Sequence, residues 1–247
     1  MALQRLLRSP YPQLVRKCCS LLQSGNVLRE RTRGAVSQGC FRSSFATSIG
    51  HIEERLEKLI ELRVHTTHDY LVVLQHLAEN PEALPDAAIR AEKLLNRWEK
   101  DVSSPDPPSE AYQRVIEAWG KAHHEKPNFV QTRAQRWLIK SSEHQTSIEC
   151  FNAFLDICSK GRKGPGGKKA LRERAQKSEA MLEYMMSSQR RNPQGNIRPN
   201  TESFNFVIRS WTRCRNENVV DRVENIVRLM TDYGDTTDKQ VQPNEKT

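Results

Sequence analysis

The chain has 247 residues, of which 36% are hydrophobic and 6% aromatic, and a formal net charge of +9. This length suits one or two domains, and no apolar run approaches the roughly 20 residues of a membrane span, so we expect no membrane partner. The six cysteines include no CxxC pair, which removes support for a zinc or redox motif, and we expect no metal or other cofactor.

The first 50 residues differ in composition from the rest of the chain. They hold eight Lys or Arg and one acid, Glu30, and Leu3, Leu6 and Leu7 alternate with arginines as on an amphipathic helix. This composition is typical of an organelle transit peptide. We therefore predict that residues 1–48 are a disordered, cleaved leader that directs the chain to the mitochondrion, with the plastid as the less favoured organelle. A basic disordered tail without targeting function is the alternative.

Beyond the leader, the apolar spacing of three and four residues predicts a succession of short amphipathic helices. The first should cover the exposed end of the packed helices, since terminal units need a polar outer face. A stiff Pro-rich connector at residues 103–108 and a Gly-rich basic insertion after Lys160 separate some of these helices. The predicted helices are Ile52–Val64, Tyr70–Leu77, Ala88–Trp98, Ala111–Ala122, Val130–Ser141, Phe151–Lys160, Leu171–Met186, Thr201–Cys214 and Val219–Tyr233.

The last predicted pair has the clearest start and stop signals. Pro199 precedes Asn200, whose side chain can cap the first helix of the pair. Phe204, Val207, Ile208 and Trp211 form one apolar stripe on that helix, and Val223, Ile226, Val227 and Met230 form another on its partner. Gly234 is predicted to end the second helix in a left-handed conformation.

Two sequence patterns recur in the same order along the chain. The second-helix pattern is basic, small, Glu or Gln, and it begins at positions 90, 133, 177 and 222, which are separated by 43, 44 and 45 residues. The first-helix pattern is Glu202-Ser-Phe204-Asn205, Glu149-Cys-Phe151-Asn152 and Glu110-Ala-Tyr112-Gln113. A helix pair repeated at this period predicts a solenoid, in which each pair contacts mainly its neighbours. The units are 49–108 (N-terminal helices and a degenerate repeat), 109–147 (degenerate), 148–200 and 201–247.

These motifs resemble the pentatricopeptide repeat from about Asp69 to the C-terminus. The best copy has Phe204-Asn205, Met230, Gly234 and Pro243-Asn244 where that family has them. The resemblance implies an all-α, right-handed superhelix of helix-turn-helix repeats. It also implies an organellar adaptor, expected to be a monomer, that binds single-stranded RNA and supports RNA processing, stability or translation.

Family likeness also implies which side chains read bases. Helical-repeat binders read about one base per repeat through two or three side chains. Carried over, Asn205 works with Asn244, Asn152 with Asn200 and Gln113 with Ser147, and two asparagines imply a pyrimidine. Asn152 and Asn205 are expected to point away from the core between repeats. The alternative is that Asn200 and Asn244 only cap the next helix and that Asn152 and Asn205 are solvated.

A local excess of basic residues predicts where phosphates would bind. Residues 51–247 have a net charge of only +2, but residues 158–215 carry 14 basic and 4 acidic side chains. Such a patch can attract nucleic-acid phosphates. Its predicted contacts are Lys160, Arg162, Lys163, Lys168, Lys169, Arg209 and Arg213. A solvated loop is the alternative for the run that begins at Lys160. Glu110, Glu149 and Glu202 depart from the family, which favours an aliphatic residue there.

No catalytic motif emerges, and we expect no enzyme. The glycine-rich run after Lys160 lacks the Ser or Thr of a phosphate-binding loop. Cys158 and the four tryptophans are expected to be buried packing residues.

A protein–protein scaffold of an organellar complex, such as the mitochondrial ribosome, is the alternative function. Because the chain stops at Gln242-Pro-Asn244, where a further repeat would begin, we expect a fragment. An enzyme with a further catalytic domain is the third hypothesis.

Overall fold

The computed structural model describes residues 38–62, 65–80, 84–102, 104–122, 126–142, 146–160, 167–214, 218–238 and 240–244. These residues form nine α-helices and include no strand, so the all-α prediction is confirmed for them. The helices are α1 (Gln38–Glu61), α2 (Thr67–Glu79), α3 (Ala87–Lys100), α4 (Ser109–Lys121), α5 (Pro127–Ser141), α6 (Ile148–Ser159), α7 (Gly167–Arg191), α8 (Thr201–Thr212) and α9 (Val219–Thr236).

The chain consists of two units, Met1–Phe41 and Arg42–Thr247. The described part of the first unit is residues 38–41, which are helical. Most of the predicted leader, residues 1–37, lies outside the described residues. Helix α1 begins at Gln38 and therefore includes the end of that leader.

Helices α2 to α9 form four consecutive pairs in the second unit. In each pair the first helix (α2, α4, α6 or α8) packs against the second helix (α3, α5, α7 or α9). Each first helix also packs against the first helix of the next pair, and each second helix packs against that same next first helix. Neighbouring pairs are therefore joined by two sets of contacts between helices that are close in the sequence.

Local sequence signals account for the helix boundaries around α8. The Asn200 side chain accepts a hydrogen bond from the backbone nitrogen of Ser203 at 3.0 Å. The Ser203 hydroxyl oxygen in turn accepts one from the Asn200 backbone nitrogen at 3.2 Å. This reciprocal capping box satisfies two backbone donors that the helix itself leaves unpaired. Capping by Asn200, one of the alternatives from the sequence, is confirmed.

The apolar stripes of the helices form the core. On α8, Phe204, Val207, Ile208 and Trp211 are buried, as predicted. The stripe on α9 is less completely buried. Ile226 and Met230 are buried, whereas Val223 and Val227 are only partly buried. Each fully buried side chain of this kind contributes about 1.5–3 kcal/mol relative to exposure. The other three tryptophans (Trp98, Trp119 and Trp137) are buried too, which confirms their predicted packing role.

A three-residue contact, which we name the Glu–Trp–Arg clasp, joins consecutive pairs. Glu92 on α3 accepts hydrogen bonds from Trp119 Nε1 on α4 at 3.1 Å and from Arg133 Nη1 on α5 at 2.9 Å. The Arg133 guanidinium also lies over the Trp119 ring, 5.9 Å from its centroid. The acidic position of the second-helix pattern on α3 thus contacts the basic position of the same pattern on α5, in the next repeat.

The same clasp recurs at the last junction and is absent from the middle one. Glu179 accepts from Trp211 Nε1 at 3.0 Å and from Arg222 Nη1 at 3.3 Å. At the middle junction the equivalent positions are Gln135, Cys158 and Lys177. Cys158 is buried at 2% exposure, as predicted, and accepts a 3.2 Å hydrogen bond from Gln131 instead.

Helix α1 is attached to α3 by ion pairs. Glu53 pairs with Arg90, and the Glu57 carboxylate accepts from Arg97 Nη1 at 2.5 and 2.7 Å. Leu56, on the predicted apolar stripe of α1, is buried. The helix therefore presents charged residues to α3 and an apolar residue to the core.

The prediction for Gly234 is wrong. Helix α9 continues through this residue to Thr236, and Gly234 does not adopt a positive φ. A Cβ atom at Gly234 would lie 2.1 Å from the carbonyl oxygen of Val241. The glycine is thus required because the chain that follows α9 returns and crosses the helix closely at this point.

Candidate nucleic-acid interface

Helices α4, α6 and α8 form one surface, which we call the first-helix surface, with two clefts in it. The first cleft has a volume of about 270 Å³ and lies among all three helices, while the second, of about 510 Å³, lies between α8 and residues 238–244. Glu202 and Phe206 line both clefts, so the clefts are adjacent. Two of the predicted base-reading residues, Gln113 and Asn152, line the first cleft. Three others line the second cleft, namely Asn200, Asn205 and Asn244.

The structure brings Asn152 and Asn200 together, as their predicted pairing requires. Asn152 Nδ2 donates to Asn200 Oδ1 at 3.3 Å, although the two residues are 48 positions apart. Asn152 Oδ1 also accepts a 2.7 Å hydrogen bond from the Ser203 hydroxyl. Asn200 therefore serves both as the cap of α8 and as the partner of Asn152.

A second asparagine pair is formed by Asn205 on α8 and Asn244. Asn205 Nδ2 lies 3.4 Å from Asn244 Oδ1, a contact that spans 39 positions. Asn244 belongs to the segment that crosses α9 at Gly234. The close crossing and the second asparagine pair are therefore parts of one arrangement.

The alternative that Asn152 and Asn205 are solvated is wrong. They are only 8% and 7% exposed. The reason is that successive first helices pack directly against each other, so the position after the aromatic residue falls at the edge of that contact. Both side chains still line a cleft.

The structure does not bring the third predicted pair together. Gln113 Nε2 donates to Glu117 on the same helix at 2.8 Å. Ser147 occupies the cap position of α6, and its hydroxyl lies 4.0 Å from Cys150 Sγ. No contact between Gln113 and Ser147 is present among the described residues.

The glutamates that depart from the family pattern begin the first helices. Glu110, Glu149 and Glu202 lie in the first turns of α4, α6 and α8, where a carboxylate interacts favourably with the helix dipole. Glu149 and Glu202 also line the first cleft, together with Glu117 and Asp156. Lys121 and Lys160 line it as well, so four acidic and two basic side chains surround the cleft, and its net negative charge does not favour a phosphate group.

The predicted phosphate-contacting residues are divided between two places. Lys160 lines the first cleft, where it pairs with Asp156 at 2.5 Å, and Arg209 lines the second. Arg213 follows the end of α8 and is exposed. Lys168 and Lys169 are exposed on the first turn of α7 and do not line either cleft. Arg162 and Lys163 lie outside the described residues.

A polar cluster that the sequence did not reveal lies beside α2. Ser104 Oγ is 2.7 Å from His65 Nε2 and donates to Asp101 Oδ2 at 2.7 Å, and the same carboxylate lies 3.3 Å from His65 Nε2. In a hydrolytic triad the carboxylate orients the histidine through its other nitrogen. Here His65 Nδ1 is buried without a described partner, so the cluster does not have triad geometry. It joins Asp101 and Ser104 to His65, just before the start of α2.

The buried cysteines are unsuited to nucleophilic chemistry. Burial raises the pKa of Cys150 and of Cys158 to about 11, so both thiols are protonated at neutral pH. In the part of the chain that the structure describes, no three His, Cys, Asp or Glu side chains are grouped as metal ligands would be. No described helix has the length and apolar character needed to cross a membrane.

A third cleft, of about 360 Å³, is lined by the second helices α5 and α7 and by Phe151 and Phe154 of the first helix α6. Its lining is largely apolar and includes Leu138, Ile139, Met181 and Tyr184. Ile139 is 58% exposed and Tyr184 45% exposed, which is high for apolar or aromatic side chains that flank a cleft.

The described residues thus define an all-helical protein in which consecutive helix pairs pack in sequence order and present two polar clefts on one surface. Comparisons of the chain with protein-family models, with curated proteins and with solved structures found no match.

Proposed function

We propose that the chain is a helical-repeat adaptor of the pentatricopeptide type that binds single-stranded RNA. In this proposal the helix pairs stack as a right-handed solenoid, and successive first helices each offer a site for one base. The adaptor supports processing, stability or translation of an organellar transcript and carries out no reaction itself. The basic, acid-poor composition of residues 1–50 supports a mitochondrial location.

The observation that carries the proposal is the recurrence of an asparagine pair. Asn152 with Asn200, and Asn205 with Asn244, are each formed by the residue after the helix aromatic and the last residue of the repeat. An asparagine amide offers both a donor and an acceptor, which suits the edge of a base. In this proposal an incoming base exchanges the long contact within each pair for hydrogen bonds of its own.

RNA titrations with matched variants test the proposal. We expect the full chain to bind a pyrimidine-rich single-stranded RNA with a log affinity that falls linearly with log salt concentration. The Asn152→Ala/Asn205→Ala double variant should lose affinity for the preferred RNA more than for a random one. Asn96→Ala is the control, because Asn96 is a partly buried asparagine on the second helix α3. Equal losses on both RNAs, or no binding at low salt, would contradict the proposal.

The third cleft favours a protein–protein scaffold as the second candidate function. Exposed apolar and aromatic side chains beside a cleft are typical of protein contact sites. If the scaffold function is correct, Ile139→Asp should abolish capture of an organellar protein partner while the asparagine variants retain it. Fusion of residues 1–50 to a fluorescent reporter tests the location, and a cytosolic signal would contradict the organellar assignment.

A further inference from the structure

Phe206 lies where the two clefts of the first-helix surface meet. It follows Asn205 directly on α8 and lines both clefts. The side chain is 9% exposed, so most of it is packed in the hydrophobic core and only a small part borders the clefts. The ring therefore supports, from the core side, the side chains that line the clefts.

Arg209 lies over the same ring. Its guanidinium carbon lies 5.6 Å from the centroid of Phe206, within the distance of a cation–π contact. Arg209 is exposed and lines the second cleft, where the described acidic residues are Glu202 and Asp238. Bases stack both on aromatic rings and on arginine guanidinium planes. The Phe206–Arg209 pair is thus a flat, partly cationic wall on one side of the second cleft.

The second cleft also has polar lining residues. Asn205 lies one helical turn before Arg209 on α8, and its Nδ2 is 3.4 Å from Oδ1 of Asn244, which belongs to the segment after α9. The volume of about 510 Å³ falls within the roughly 300–1,000 Å³ of small-ligand sites. Glu202 cannot supply an apolar surface for stacking, because a carboxylate is strongly hydrated and repels phosphate.

We infer that the second cleft holds one nucleobase of the bound RNA, stacked against the Phe206–Arg209 pair with its polar edge at Asn205 and Asn244. This inference rests on the proposed RNA-binding function. Stacking does not distinguish one base from another, because every base has a π face, so this pair contributes affinity and the asparagines contribute selectivity. The arginine acts here through its planar guanidinium and not only through its charge.

The test uses the full chain, a labelled pyrimidine-rich RNA and fluorescence anisotropy at several salt concentrations. Phe206→Leu removes the ring, and Arg209→Lys keeps the charge but removes the plane. We expect each variant to weaken binding by about fivefold or more, since one stacked base contributes at least that much. The slope of log affinity against log salt should stay unchanged, because neither variant removes a charge. Phe206→Tyr, which keeps the ring, should bind like the wild type.

Phe129→Leu is the matched control. Phe129 is also an aromatic residue under an arginine, with the Arg133 guanidinium 5.1 Å from its ring, but it lies on the second helix α5. It is 39% exposed and lines neither cleft of the first-helix surface. This variant should bind RNA within about twofold of the wild type, as expected for a position away from the bound strand.

The possible outcomes separate this inference from the proposed function. If the wild type binds no RNA, both fail. If the wild type binds and either Phe206→Leu or Arg209→Lys binds as tightly as Phe129→Leu, only the stacking inference is overturned. Circular dichroism monitors the helical fold of each variant. If Phe206→Leu does not fold, Arg209→Lys, at an exposed position, decides the matter.

Discussion

The Glu–Trp–Arg clasp allows the strength of one repeat junction to be estimated from its contacts. Glu92→Gln removes the charge but keeps nearly the same shape, and glutamine is what the middle junction already carries at Gln135. The change leaves Trp119 Nε1 with a neutral acceptor, and a hydrogen bond to a charged group is about 1 kcal/mol stronger than one to a neutral group. Glu92 is 14% exposed but Arg133 is 34% exposed. Solvent therefore screens their ion pair, and its loss lowers the free energy of unfolding by only about 0.5–1 kcal/mol.

We therefore expect Glu92→Gln to lower the free energy of unfolding by about 1–2 kcal/mol. For a chain of this size each kcal/mol corresponds to about 2–4 °C in Tm. Thermal unfolding followed by circular dichroism measures the loss. Gln135→Glu is the matched control, because it places a carboxylate at the junction where Cys158 replaces the tryptophan. It should change the stability by less than about 0.5 kcal/mol, as at an ordinary surface position.

A double-mutant cycle shows whether the loss comes from the clasp. Glu92→Gln and Arg133→Gln should together cost less than the sum of the two single changes, by about 0.5–1 kcal/mol, because each removes the same ion pair. Strict additivity, or an unchanged Tm for Glu92→Gln, would refute the view that this contact holds adjacent repeats together.

Three further predictions concern a glycine, a helix cap and a buried thiol. Gly234→Ala places a Cβ 2.1 Å from the Val241 carbonyl oxygen, so we expect the free energy of unfolding to fall by up to about 2 kcal/mol despite the better helix propensity of alanine. In the control Gly50→Ala the Cβ meets no atom within 4 Å, and the free energy of unfolding should rise by about 0.5–1 kcal/mol; urea unfolding measures both changes. Asn200→Ala removes the cap of α8 and should cost about 1 kcal/mol in the same assay, whereas no change would contradict the capping box. Burial raises the pKa of Cys158 from 9.0 to about 11, so only the unfolded thiol ionises between these values. Stability should therefore fall as the pH rises from 9 to 11, and Cys158→Ala should reduce that fall in urea midpoints measured at both ends.

Several features of the fold were predictable because their causes are local in the chain. The stripe of Phe204, Val207, Ile208 and Trp211 follows from the helical repeat, and the cap at Asn200 depends on a residue three positions away. The order of the helix pairs followed from the repeated patterns. The Glu–Trp–Arg clasp also has a sequence signal, because basic and acidic residues recur at fixed positions of the second helices. The pattern by itself does not show that these residues contact each other across repeats.

The candidate site was predictable only as a set of residues. The likeness to the repeat family placed Asn152 with Asn200 and Asn205 with Asn244, and the structure puts both pairs within hydrogen-bond distance. Their burial was missed, because it depends on how closely successive first helices pack. The position of Phe206 between two clefts was missed for the same reason, since it depends on how the helices pack.

The sequence by itself determined the helices, the cap at Asn200 and the order of the helix pairs, because helix formation depends on side chains three and four positions apart. The tertiary structure alone decided which side chains from different repeats meet. The crossing of Val241 over Gly234, the burial of the asparagines and the partners of Glu92 all join residues far apart in the chain. Such contacts depend on the distances and angles between packed helices, and an apolar stripe specifies that a face is buried without specifying what lies against it.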